Sequence, residues 1–159
     1  KKALFIGVAA LVFVDFYTPV TEATPVRLAP VYEIPAADAA SAREAFAILD
    51  IPWNAGWPLM HQTLHGIPTM QGYVGRKYGT PLIGRIPFEP DRLALQKAIL
   101  ARHQVKYIVI QKKALAYTPA GKADLERYEA GLRRIAEAYA SVYERMYEDE
   151  DAALYRVYS

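Results

Sequence analysis

Two of the chain's three histidines, His61 and His65, stand four residues apart in the stretch HQTLHGIPTMQGYVGR, residues 61–76. On a helix that spacing turns both imidazoles to one side, the arrangement that grips a divalent metal. The zinc-protease form of the pattern has a glutamate directly after the first histidine, acting as general base. Here that position is Gln62, and an amide cannot take up a proton. A third ligand would have to be Asp50 or a more distant acid, and the spacing demands neither. The residues favour the plainer reading, in which the imidazoles hydrogen-bond loop backbone, as buried polar groups must.

Other reactive types are sparse. Gly66, Gly72 and Gly75 do not form the Gly-x-Gly-x-x-Gly fingerprint, and no Gly-Lys-Ser/Thr phosphate cradle is present, so nucleotide binding has no support. These glycines suit positive φ in a tight loop. Tyr73 and Arg76 have the chemistry to meet an anion or a sugar face, against the commoner role of surface packing. The serines, Ser41, Ser141 and Ser159, lie in no nucleophile elbow. The run Glu148-Asp149-Glu150-Asp151 has the charge to attract a divalent cation but reads as a solvated hairpin tip. Asp15 and Asp50 each close an apolar run. A carboxylate there caps a helix or faces the crevice beyond the strand ends, and neither has a partner placed for a glycosidase pair.

The totals set limits on what these residues can serve. At 159 residues the chain suits one domain with a proper core. A hydrophobic share of 53% with 23% charged residues is globular. A formal charge of +2, with scattered Lys and Arg, makes no phosphate-tracking stripe and argues against nucleic acid. Cysteine is absent, which excludes disulfides, thiolate zinc sites and cysteine nucleophiles.

The elements that must position the site follow from periodicity and turn residues. KKALFIGVAALVFVDFYTP opens the chain with an apolar run from Ala3 to Val14. As a helix this run spans only about 18 Å, against a hydrocarbon core of about 30 Å. It reads as a long strand, a signal peptide without a clean cleavage site, or the end of a transmembrane helix. The last is preferred: residues 1–18 end a membrane helix and run into the first strand, and residues 19–159 form an extracytoplasmic domain. Pro19, Pro25 and Pro30 then suit an extended stem. A helix is expected from Pro35, a buried strand at AILDIP, a turn of helix around His61–His65, and a helix over PDRLALQKAILARHQ.

VKYIVIQ is the clearest strand, apolar enough for burial on both faces. Thr118-Pro119 reads as a cap before a helix whose stripe runs Leu125, Tyr128, Leu132, Ile135, Tyr139, Val142. Gly131 inside it suggests close backbone packing. SVYERMYEDEDAALYRVY reads as two strands about an acidic turn. The fold expected is α/β: a layered sandwich with a mixed, largely parallel sheet flanked by helices and closed by a C-terminal β-hairpin.

The order of these pieces resembles the C-terminal extracytoplasmic domain of bacterial polytopic membrane proteins of the GT-C glycosyltransferase type. The likeness is carried by Leu49–Pro52, as Leu-Asp-hydrophobic-Pro, and by Gln62, Thr63, Leu64, His65, Gly66 and Pro68. Gly72, Tyr73, Val74 and Arg76 complete it. It covers roughly Pro19 to Tyr158, while His61 matches nothing in the pattern. The resemblance implies a parent enzyme at the cell membrane that uses a polyprenyl-phosphate-linked sugar and a divalent metal, with its catalytic acids in an earlier loop. This chain would then hold neither catalytic carboxylate nor cofactor, and its partners would be the membrane and the N-terminal transmembrane part of the same protein. His65, Tyr73, Arg76 and Asp50 become the residues expected to border a glycan or lipid-linked acceptor. The alternative is a self-standing soluble α/β module that binds a sugar, or a metal through His61 and His65.

Overall fold

The computed structural model of the chain describes residues 28–51, 62–70, 85–113 and 122–159. The leader, Asp15, His61, Tyr73, Arg76 and the Thr118-Pro119 cap lie outside them. No helix among the described residues is long and apolar enough to cross a membrane.

A four-stranded sheet runs through the domain in the order β1-β2-β4-β3. The strands are β1 (Ala47–Ile51), β2 (Val105–Gln111), β3 (Glu144–Glu148) and β4 (Ala152–Arg156). β1 and β2 are parallel, with Asp50 opposite Val109. β2 pairs antiparallel with β4, and β4 with β3. The mixed sheet and the closing hairpin are those the sequence indicates, but parallel pairing is the minority. The hairpin does not stand apart as an appendage. It supplies two of the four strands and inserts β4 beside β2, which turns those pairings antiparallel.

The strands form where residue types alone place them. VKYIVIQ has the β-branched and aromatic density of a doubly buried strand, and five of its seven residues are buried, from Val105 and then Tyr107 through Ile110. Its two faces feed two separate cores. Ile108 and Ile110 pack with Leu49 and Ile51, under Leu93 and Leu100 of helix α2 (Leu93–Arg102) and Leu132, Ala136 and Tyr139 of helix α3 (Lys122–Ala140). Tyr107 and Val109 pack with Ile48, Val31 and Tyr32 on the other side, beneath helix α1 (Glu33–Ser41). The result is three layers, with α1 on one face of the sheet and α2 and α3 on the other.

Helix boundaries shift where turn chemistry acts. Pro30 does not belong to an extended stem: it opens a 3-10 turn, Pro30–Tyr32, that runs into α1. Pro35 therefore sits in the first turn of α1, where its missing N–H has no intrahelical acceptor to lose. α2 likewise starts behind a 3-10 turn at Pro90–Arg92 and ends with Gln104 at φ 57°. The Gln104 carbonyl accepts from Ala47 N at 2.9 Å, which pins the start of β1 to the turn that launches β2. Gly131 packs against no backbone, since a Cβ there would meet nothing within 4 Å.

On their shared face of the sheet, α2 and α3 are joined through one buried amide. Gln96 is 0% exposed. Its Nε2 donates to Pro87 O and to Tyr139 Oη, each at 2.7 Å, and its Oε1 accepts from Tyr143 Oη at 2.7 Å. Burial pushes the Tyr139 phenol up to about 12, so both tyrosines act as neutral hydroxyls in this network.

The edges of the sheet differ. Outside β1, Ile48 N donates to Pro68 O and Met70 N to Ile48 O, both at 2.9 Å, forming a short parallel bridge. β3 carries Glu144, Arg145 and Glu148 and has an irregular register between Arg145 and Tyr147. The acidic run is a hairpin tip, as its composition indicates. Asp149 Oδ1 accepts from the backbone N–H of Asp151 at 2.8 Å and of Ala152 at 2.7 Å. Lys112 meets Glu148 at 3.0 Å, and Lys113 pairs with Glu150 and Asp151. Three of the four acids therefore already have lysine partners.

Candidate functional site

Asp50 and His65, two of the residues singled out by type and spacing, come together at the C-terminal end of β1. They meet through Tyr32. Asp50 projects from the same face as Ile48 into the α1-side core, and it is 1% exposed. Its Oδ1 accepts a short hydrogen bond from Tyr32 Oη. Gln111 closes β2 beside it, and its Nε2 donates to the same Tyr32 oxygen at 3.4 Å. The far side of Tyr32 stacks on His65, with ring centroids 5.1 Å apart and planes inclined by 23°.

Each of these side chains is held by a different element. Tyr32 belongs to the 3-10 turn before α1, Asp50 to β1 and Gln111 to β2. His65 ends a single helical turn over residues 62–65, where the sequence indicated one. That turn is closed by Gly66, whose N–H donates to Gln62 O at 2.8 Å and whose φ is +69°. This is the left-handed terminus that glycine adopts without steric cost. A Cβ at Gly66 has open space around it, so the constraint is backbone conformation alone. Gly66→Ala should cost about 1–2 kcal/mol, read as a lower urea midpoint. An unchanged midpoint would show that the turn does not need this conformation.

His65 Nδ1 accepts from Ile67 N at 3.0 Å, the backbone-bonding role that the plain reading of the histidines assigned. An accepting Nδ1 requires the neutral ring with its proton on Nε2, so Nδ1 is not open to a cation while this bond stands. Among the described residues no group of three or more His, Asp or Glu is placed to hold a metal ion. Thr69 Oγ1 donates to Gln62 Oε1 at 3.3 Å, so Gln62 helps to fold the loop back on itself.

The electrostatics follow from burial. Desolvation raises the Asp50 carboxyl to about 6, against a smaller lowering by the Tyr32 hydrogen bond. The Tyr32 phenol is pushed far above its ordinary value, first by burial and then by the Asp50 charge. The pair thus shares one short hydrogen bond in an apolar surround, with the phenol as permanent donor. A group so enclosed holds segments in place and does not meet solvent directly.

Sequence reasoning singled out Asp50 and His65 but not Tyr32 or Gln111. Gln111 left a trace, as the polar residue that ends an apolar strand just as Asp50 does in the strand beside it. Tyr32, one of twelve tyrosines, left none. Its partners are 18 and 79 residues away. His61, Tyr73 and Arg76 lie outside the described residues, so how they stand toward this cluster is not part of its geometry.

No protein-family model matches the sequence, and neither does any curated protein. Among solved structures, the chain is similar to the crystal structure of the C-terminal globular domain of an oligosaccharyltransferase from Archaeoglobus fulgidus. The likeness spans 84% of this chain and 100% of that one, at 11% identity and a TM-score of 0.46. At that level of superposition it carries no correspondence between residues.

Proposed function

We propose that this chain is a non-catalytic extracytoplasmic domain of a GT-C-type membrane glycosyltransferase, and that it shapes the path of the acceptor. The observation that carries the reading is the joining of its two signature segments. Leu49–Ile51 and Gln62–Pro68 are separated by residues 52–61, and Asp50 reaches His65 through Tyr32. Backbone bonds from Ile48 to Pro68 and Met70 tie the same two segments together. A pattern whose parts support one another structurally is a unit that builds one loop.

In this reading Asp50 is internal and acts through Tyr32, while His65, Tyr73 and Arg76 border the acceptor. Residues 1–18 complete the last membrane helix. The partner is the transmembrane part of the same polypeptide, which supplies the catalytic acids, the divalent metal and the polyprenyl-phosphate sugar site.

The test is the size and fractionation of the native product. The natural gene is tagged at its 3′ end in its own host, and membranes are separated from soluble material. The expected result is a tagged polypeptide well above 17.8 kDa that needs detergent for release. A soluble band near 17.8 kDa overturns the proposal.

A further inference from the structure

Tyr32 stands where three segments meet, and only one of them is the loop that carries the signature residues. Its hydroxyl is bonded to β1 through Asp50 and to β2 through Gln111. Its ring supports the His65 imidazole, whose Nδ1 in turn holds the Ile67 N–H. Ile67 and Pro68 lead directly into the bridge on Ile48. The backbone of Tyr32 belongs to neither strand nor loop, but to the 3-10 turn at the start of the described domain, where Tyr32 N bonds Ala29 O at 2.9 Å.

We infer that Tyr32 is a positioning residue that makes the geometry of the 65–70 segment depend on the seating of the Pro30–Tyr32 turn. The ring gives His65 one flat surface to lie on, and this fixes the plane in which Nδ1 meets the Ile67 N–H. The hydroxyl fixes the ring in turn, because Asp50 is a rigid reference at the end of a buried strand. A displacement of the N-terminal turn therefore reaches the loop through one aromatic ring. That the loop borders an acceptor rests on the function proposed above. The coupling itself belongs to this domain and is tested without reference to glycosyl transfer.

The test is hydrogen exchange read by mass spectrometry on the full natural polypeptide, following peptides over residues 65–70 and over the 30–41 region. Tyr32→Leu removes both the stack and the hydroxyl, and is expected to raise exchange over 66–70 at least tenfold. Tyr32→Phe keeps the stack but frees the ring from Asp50 and Gln111, and is expected to raise exchange there by less than Tyr32→Leu, about threefold. Val31→Ala, which truncates the buried neighbour on the same turn, should loosen 30–41 and, through Tyr32, 66–70 as well, whereas Leu100→Ala, a truncation in the core on the other face of the sheet, should leave 66–70 closer to the parent. Equal exchange over 66–70 in Tyr32→Leu and Leu100→Ala overturns the inference, because the effect would then be general loosening. If Tyr32→Leu does not fold, Tyr32→Phe carries the test, and exchange over 66–70 equal to the parent overturns the inference.

Discussion

Asp50→Asn is expected to stabilise the folded chain by about 1–3 kcal/mol at pH 7.5 and to change little at pH 4. The reason is that burial raises the carboxyl to about 6, so the native state holds this proton after the unfolded chain has released it. Between about pH 4 and pH 6 the native state binds more protons than the unfolded state, and stability falls as pH rises. Above that window the penalty is complete, on the order of 3 kcal/mol for a shift of about two pKa units. Asparagine matches the neutral acid in shape and keeps an oxygen for the Tyr32 hydroxyl. It also adds an amide donor to a buried site, and this donor sets the lower end of the range.

Urea midpoints of the two proteins, measured at pH 4 and pH 7.5, check the prediction. An Asn variant that loses stability relative to the parent on going from pH 4 to pH 7.5 would sink it. The comparison must be a difference, because other carboxyls act in the opposite sense. Asp38 is held below its usual range, chiefly by a hydrogen bond from Lys106. It contributes stability that is lost as pH falls.

The second large effect is expected at Gln96. Gln96→Leu keeps the volume but deletes three hydrogen bonds, to Pro87 O, Tyr139 Oη and Tyr143 Oη. Each polar group left buried without that partner costs roughly 1–3 kcal/mol. The variant should therefore lose about 3–5 kcal/mol, a large share of the 5–15 kcal/mol typical of a domain. Tyr139→Phe alone should cost less, since Gln96 then keeps two of its partners. The double variant should cost less than the sum of the singles, as expected for groups in one network. A loss under 1 kcal/mol for Gln96→Leu would mean that water enters and replaces the amide.

What the sequence discloses tracks how local the cause is. VKYIVIQ names its own strand to the residue, because burial on both faces demands that composition. The hairpin was legible for a similar reason: its turn is built from Asp149 bonding backbone two and three residues on. The prevalence of antiparallel pairing was not legible, since alternation of helices and strands says nothing about where a terminal hairpin inserts. Gln96 carried no mark either, as a glutamine in a helix is ordinary until two tyrosines more than forty residues away converge on it. At the candidate site Asp50 was conspicuous as a charge in an apolar strand and His65 as half of a spaced pair. Tyr32, which joins them, is set by tertiary contact alone.

Among the described residues, neither border of the sheet offers a long flat edge. On one side the 68–70 segment occupies the hydrogen-bonding direction of Ile48. On the other, β3 offers a charged and irregular rim in place of a flat ladder, the kind of edge that resists templated addition. Edges of this kind favour a partner that recognises the domain by side chains over one that lengthens its sheet. Affinity for such a partner would be decided residue by residue, and point substitutions on helix faces and loops would tune it without disturbing the backbone scaffold.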